Sequence, residues 1–469
     1  MRVWVFLFAV GFLISPAFSE PTTDLAQHDA ETKLIVLQNP YLQVFLSYDN
    51  QIHLQSITYS NQPFLRVPDG ASFPTGSRLK LYKKHPKESR EEYALPNKYT
   101  AQVVSDGEKS KIDIQGQDGP VFQIQSSYLF KQNESTLYIE SKITNQSDET
   151  IEFYPSEENV YSTEFGVSGM LNPYFRLYAP VSDEISSVTD MKFLSGSPGD
   201  KQFKLDKDKG IFELKHERRG AEFMFTRDEN WLAAATVRDI VKKTGMVCSV
   251  DYKFNKPLEN VKDNVIVLLS NFSKDNKIST DKQGVLRGIK PLSTHVTYVH
   301  GKVRLAAGES ISYKQTWGLG SSILPITTVE NGIAYFRRLE AYKVENGFAL
   351  FSISTNPAKG TAAFQCVGDD GLPFRTDTVV VLNPLNPGMG TTEVEANLPL
   401  VVSSNYNFGI VLPATAPQIA ELRGFATQET PSITKSLRFV ILDPETDEPI
   451  RIIDEVEGPW KDYAPGVIK

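Results

Sequence analysis

Hydrophobic and polar positions alternate along most of this chain. In FQIQSSYLFKQNESTLYIESKITNQSDETIEF, residues 122–153, Phe122, Ile124, Tyr128 and Phe130 share one parity, and Gln123 and Gln125 take the other. Leu137, Ile139 and Ile143 then share a parity against Tyr138, Glu140 and Lys142. Successive side chains of a strand point to opposite faces, so the pattern predicts two half-buried strands. The polar, Asn-bearing KQNES between them suits a short hairpin connection, TNQSDET breaks the second strand, and IEFY opens a third.

The same texture runs on from Thr32. KLIVLQ, LQVFLSY, IHLQSITY, KYTAQVVS, KIDIQG, AEFMFT, LAAATVRD, NVIVLLSN and SISYKQTWGL follow one another, separated by turns such as SYDNQ, SDGEKS and DKDKG. Short strands at this density predict a large antiparallel sandwich. One segment reads differently. TTVENGIAYFRRLEAY sets Ile333, Tyr335 and Phe336 near Leu339 and Tyr342 at helical spacing, with Thr327 or Thr328 able to cap, and predicts a short helix. After it FALFSIST, TAAFQCVG, TDTVVVLNP, YNFGIVLP and SLRFVILD resume the strands, and their brevity fits an Ig-like sandwich. The expected fold is therefore all-β. Residues 1–19 read as a signal peptide, 20–31 as a flexible tail and 32–325 as a β-supersandwich. Residues 326–342 read as a helical linker and 343–469 as an Ig-like sandwich ending in a hairpin.

The opening MRVWVFLFAVGFLISPAFSEP has Arg2, an apolar run from Val3 to Ile14, and small Ala17 and Ser19 before a cleavage point. That is the build of a secretory signal, too short to span a bilayer comfortably. Cleavage after Ser19 and a periplasmic or secreted product are expected, with no transmembrane segment left. Losing Arg2 takes the formal charge from −8 to −9, and that acidity argues against a nucleic-acid partner. Cys248 and Cys366 both sit in strand-like runs, and a bridge between them is left open. Asn133, Asn145 and Asn271 head sequons.

Four stretches carry a resemblance. LQNPYLQVFLSYDNQIHLQSITYS, the hairpin quoted above, NWLAAATVRD and RLAAGESISYKQTWGLG resemble the periplasmic domain of YidC-type membrane insertases, a β-supersandwich related to galactose mutarotase and the aldose epimerases. The resemblance spans roughly Lys33 to Gly320 and implies a fold and an envelope location. After TWGLG an insertase would enter transmembrane helices, whereas this chain enters more strands, so insertase activity is not implied.

Epimerase chemistry needs a carboxylate and a histidine across an anomeric centre. The candidate pair is Glu309, in AAGES, with His216. His295 and His300 stand an odd number of residues apart, so a strand sends them to opposite faces and they cannot grip one ligand together. His53 sits among apolar neighbours and reads as an ordinary sandwich residue. Tyr174, Arg176, Tyr178, Arg218, Arg219 and Trp231 could line a sheet face, with rings stacking on sugars and guanidinium groups bonding hydroxyls. No serine-hydrolase order, HExxH or CxxC motif occurs, and neither a cofactor nor a metal site is expected. Two functions remain. One is an exported, non-enzymatic scaffold or interaction protein, tied to membrane-protein insertion or envelope biogenesis and meeting a protein partner. The other is a carbohydrate-binding or aldose-epimerase-like protein.

Overall fold

The computed structural model describes residues 25–59, 62–65, 76–117, 119–162, 164–165, 170–172, 174–199, 201–215, 221–240, 243–259, 265–271, 279–280, 286–287, 293–344, 347–355, 360–382, 400–401, 407–410, 434–443 and 445–462. The stretch read as a signal, residues 1–19, therefore lies outside the described residues. The chain is all-β: among the described residues the only helical pieces are two short 3-10 turns, Val188–Asp190 and Lys207–Lys209.

Two large antiparallel sheets face each other. The first has twelve strands. It runs from Ala26–Asp29 through Leu34–Gln38, Leu42–Ser47, His53–Tyr59 and Gln62–Leu65 to Ile151–Ser162, then through Ser293–Val299, Val265–Asn271 and Ala221–Thr226 to Lys192–Ser195. Ser77–Tyr82 and Val303–Leu305 also pair with Ile151–Ser162. The second has ten strands, from Phe203–Asp206 through Ile211–Lys215, Phe175–Pro180, Trp231–Asp239, Thr244–Phe254, Ser310–Ile323, Thr136–Asn145, Phe122–Lys131 and Lys109–Gln117 to Lys98–Ser105.

The hairpin over residues 122–145 is as its alternation predicts. Phe122–Lys131 and Thr136–Asn145 pair with Ile124 opposite Ile143 and Phe130 opposite Leu137. Their apolar parity is buried, packing on Ile35, Leu37 and Val44 of the first sheet at one end and on Phe153, Val303 and Leu305 at the other. The second strand ends at Asn145, whose side chain donates to the carbonyls of Glu149, Leu305 and Ala306 at 2.7, 3.1 and 3.1 Å. This sequon asparagine is thus buried in a turn it holds together.

Two expectations need correction. Ala26–Asp29, placed within a flexible tail, is a strand paired with Leu34–Gln38. The helix expected over 326–342 is a β-hairpin, Thr328–Glu330 with Ile333–Val344. The deciding residues are Asn331 and Gly332, both at positive φ (52° and 74°), which make the two-residue turn whose twist matches antiparallel strands. The hairpin tip sits on the outer face of the second sheet. Gly332 N–H donates to Asp251 Oδ1 at 2.6 Å, and Ser249 Oγ donates to the Gly332 carbonyl at 3.1 Å. A Cβ on Gly318 would lie 1.6 Å from that carbonyl, so the approach requires glycine.

Beyond the hairpin, Ile333–Val344 and Gly347–Thr355 continue one sheet, and Pro373–Leu382, Gly360–Val367, Ser436–Leu442 and Pro449–Glu457 form another. Pro449–Glu457 is anchored back on the sandwich and on the hairpin. Arg451, on Pro449–Glu457, pairs with buried Glu134 at 2.8 Å, and Asp454 accepts from Arg338 at 2.7 Å and from the Leu339 N–H at 2.7 Å. No disulfide joins Cys248 to Cys366; both thiols are buried, in different sheets.

Candidate functional site

Ile151–Ser162 is the central strand of the first sheet, paired with Ser77–Tyr82 and Gln62–Leu65 on one side and with Val303–Leu305 and Ser293–Val299 on the other. Its sequence IEFYPSEENVYS carries Glu157 and Glu158 in succession. A strand sends neighbours to opposite faces, so one carboxylate enters the sandwich and the other stands on the outer face.

On the outer face Glu158 lies opposite Arg78 on one side and Thr297 on the other. Arg78 bonds its carboxylate through Nε at 2.5 Å, and Lys80 Nζ stands 3.5 Å away. Lys80 also pairs with Glu92 at 2.9 Å. Burial opposes the charge of Glu158, but Lys80 and Arg78 outweigh it and hold the carboxyl below its ordinary range. Two histidines flank this group. His53 heads the strand whose Leu54 faces Ser77, and His295 stands two residues before Thr297. Both feel the field of Glu158. Burial, helped by Arg78, pushes His53 down to about 4 against the pull of Glu158. Burial also lowers His295, with Glu158 opposing and Arg78 and Lys80 adding. The face thus offers two neutral imidazoles around a carboxylate and two cations. These groups donate and accept hydrogen bonds in several directions, which suits a polyhydroxylated ligand. Neither His53 nor Glu158 is poised near neutrality, where proton transfer is efficient.

On the inner face Glu157 is 2% exposed. Its Oε1 accepts from Tyr313 OH at 2.5 Å and Gln315 Nε2 at 2.8 Å. Burial nonetheless prevails over the Tyr313 bond and pushes its carboxyl up to about 8. It faces a narrow cleft whose lining includes Gln51, Tyr128, Ser141 and Tyr313. The gap between these side chains takes water and excludes a sugar ring.

The residues singled out from sequence fall elsewhere. Glu309 stands in the exposed turn before Ser310–Ile323, its Oε1 2.6 Å from Lys256 Nζ and its Oε2 accepting from the Ala306 N–H at 3.1 Å. The bond to Lys256, then that backbone bond, lowers its carboxyl. This is a turn clamp, and Asn145 completes it: its N–H donates to the Glu309 carbonyl and its carbonyl accepts from Gly308. Arg176, Tyr178 and Trp231 belong to the second sheet and Tyr174 to the turn before Phe175–Pro180, and they do not share one open ligand face. Tyr174 is exposed, and Arg176 Nε lies 3.5 Å from Glu213. Tyr178 and Trp231 are buried with Leu324, Ile326, Val329 and Ala334 under the hairpin. His216, Arg218 and Arg219 lie outside the described residues.

His295 and His300 do point to opposite faces, as their spacing predicts. His300 is buried among Tyr252, Phe254 and Tyr298, with ring centroids 4.8–5.4 Å apart. Neither of its ring nitrogens has a partner among the described residues. Sequence reading missed Arg78, Lys80 and Glu158, and the placing of His53 and His295 on either side of them. The available signals were the consecutive acids in SEEN, which give each face of a strand a carboxylate, and the alternate bases in SRLKLY. Among the described residues no three His, Cys, Asp or Glu gather as a metal-ligand set, and no helix is long and apolar enough to cross a membrane.

Comparison with known protein families and with curated proteins gives no match. Among solved structures, the chain is similar to a galactose mutarotase-like protein from Lactobacillus casei, at 11% identity over 61% of this chain and 99% of that one, TM-score 0.37. It is also similar to a galactose mutarotase related enzyme from Lactobacillus acidophilus, at 10% identity over 63% of this chain and 100% of that one, TM-score 0.39. A TPR-domain containing protein from Parabacteroides distasonis matches at 14% identity over 61% of this chain and 46% of that one, TM-score 0.38.

Proposed function

We propose that this chain is an exported carbohydrate-binding protein that works without catalysing a reaction, and that the outer face of the first sheet is its ligand face. The observation that supports this most is the gathering of His53, Arg78, Lys80, Glu158 and His295 on that face. Binding is favoured over epimerisation because the same neighbours that gather these groups also move them away from neutrality. Glu158 is held ionised by Lys80 and Arg78, and His53 is pushed to about 4, so both are weak bases at pH 7. The signal-like leader supports export to the periplasm or beyond. The YidC-like traits of the sequence then speak for compartment, with an envelope glycan as partner in place of a nascent membrane protein. The strands after the hairpin serve on this reading as an Ig-like module attached to the sugar-binding sandwich.

The test is a glycan array followed by titration calorimetry on the mature chain, with anomer interconversion followed by NMR in parallel. Saturable binding of a glycan that Glu158→Gln and His295→Ala each weaken at least ~10-fold, with no interconversion above buffer, is the expected result. Absence of any glycan binding at millimolar sugar would overturn the reading. Interconversion abolished by Glu158→Gln would replace it with an epimerase.

A further inference from the structure

The two large sheets have four rims, and three of them are short. Ala26–Asp29, Lys192–Ser195 and Phe203–Asp206 have four residues each, and the register of Lys192–Ser195 is further broken by a shift between Phe193 and Ser195. Short or irregular rims are how sheets avoid pairing with other chains. The fourth rim is different. Lys98–Ser105, KYTAQVVS, is eight residues long and pairs with Lys109–Gln117 in unbroken register. Among the described residues nothing pairs with its other side. Its outer-face residues Lys98, Thr100, Gln102 and Val104 are all exposed, Val104 by 57%, while Tyr99, Ala101 and Val103 pack inward on the core. A regular edge with a single charge near one end carries little protection.

We propose that this edge pairs antiparallel with the same edge of a second copy of the chain, joining two ten-stranded sheets across a two-fold axis. One register makes the outer face self-complementary. With Gln102 opposite the partner's Gln102, Thr100 meets the partner's Val104 and Lys98 meets the partner's Asp106. The two-fold repeats each pair, so two opposite charges close the strand at both ends. Asp106 Oδ1 accepts from the Glu108 and Lys109 N–H groups at 3.1 and 2.9 Å and its Oδ2 lies 3.7 Å from Lys109 Nζ, which fixes the turn and leaves the carboxylate half exposed to the partner's Lys98. The inner parity places Ala101 against the partner's Val103, extending the apolar floor. A symmetric strand pair of this kind is an isologous interface and closes at two subunits. Main-chain hydrogen bonds supply its affinity and the charged ends its register.

The axis residue gives the test. Gln102 is exposed and its side chain has no partner among the described residues; within one copy it stands opposite Asp113, so Gln102→Lys gains and Gln102→Glu loses slightly in the single copy, whereas both variants weaken the dimer. In the dimer each places two like charges directly opposite, which weakens a strand pair. Light scattering behind size exclusion should find wild type as a dimer. Each variant alone should dissociate with a constant raised roughly 10-fold. An equimolar mixture of the two should recover the dimer, since Lys then faces Glu. Gln102→Cys should cross-link under mild oxidation, because directly opposed residues hold Cα atoms ~4.5–5.5 Å apart. A wild type that stays monomeric at high concentration would overturn the proposal. So would a dimer indifferent to Gln102→Lys, or a mixture that fails to recover dimer.

Discussion

Glu157→Gln should stabilise this protein in alkali and do little in acid. The carboxyl titrates near 4.5 when solvated and near 8 in the fold, where burial outweighs the hydrogen bond from Tyr313. The sign follows from proton counting. Below pH 4.5 both folded and unfolded chains hold the proton, and the group costs nothing. Between 4.5 and 8 the unfolded chain has released the proton and the folded chain keeps it, so stability falls as pH rises, at roughly 1.4 kcal/mol per pH unit. Above 8 the loss levels off at about 5 kcal/mol. An amide has the shape of the protonated carboxyl and still accepts from Tyr313 and Gln315, so the variant keeps the contacts and drops the titration. Urea unfolding of both proteins at pH 5 and pH 9 measures the difference directly, and every other titrating group cancels. The gap in favour of the variant should open by several kcal/mol between the two conditions. A gap that does not change with pH would refute the reasoning, and so would a variant that is less stable at pH 9.

His300 should act in the opposite direction. Burial holds it neutral far below its ordinary range, so its contribution is present above pH 6.5 and lost as pH falls, and His300→Phe should reduce the acid sensitivity seen in pH-dependent urea midpoints. Arg451→Ala strips the chief counter-charge from Glu134, whose side chain is 2% exposed, and should cost about 3 kcal/mol in the same assay; adding Glu134→Gln should return much of it. Glu309→Gln should leave the unfolding midpoint and glycan binding where they were, because the exposed carboxylate only clamps its turn.

The sandwich was legible because burial on one face of a sheet writes itself into the sequence with period two. Phe122–Lys131 reads buried at every second residue along its whole length. The hairpin at 328–344 was misread because Ile333, Ala334 and Tyr335 are all buried, on one side by the second sheet and on the other by the strands that follow. A strand buried on both faces loses its alternation, and what remains matches helical spacing by accident. The turn residues Asn331 and Gly332 were the better guide. The binding-face aromatics failed for a related reason: Trp231 and Tyr178 do lie on an outer sheet face, but the chain returns to cover it.

The candidate site shows what period alone leaves out. His53, Arg78, Glu158 and His295 come from four strands spread over more than half the chain, and only the register across non-sequential neighbours brings them together. No local pattern contains that information. Yet one local fact did point there. Two glutamates in succession on a strand cannot both face solvent when the strand is central, so one of them must be carried into the interior. The structure resolves that conflict by giving the two carboxylates opposite environments. Glu157 is kept protonated by burial, and Glu158 is kept charged by Lys80 and Arg78. A central strand holding such a pair is more costly to build than an apolar one. The cost is offset only on the outer face, where the cations that neutralise Glu158 also assemble a polar surface bordered by two histidines. That is the reason to look for a ligand on this face before any other.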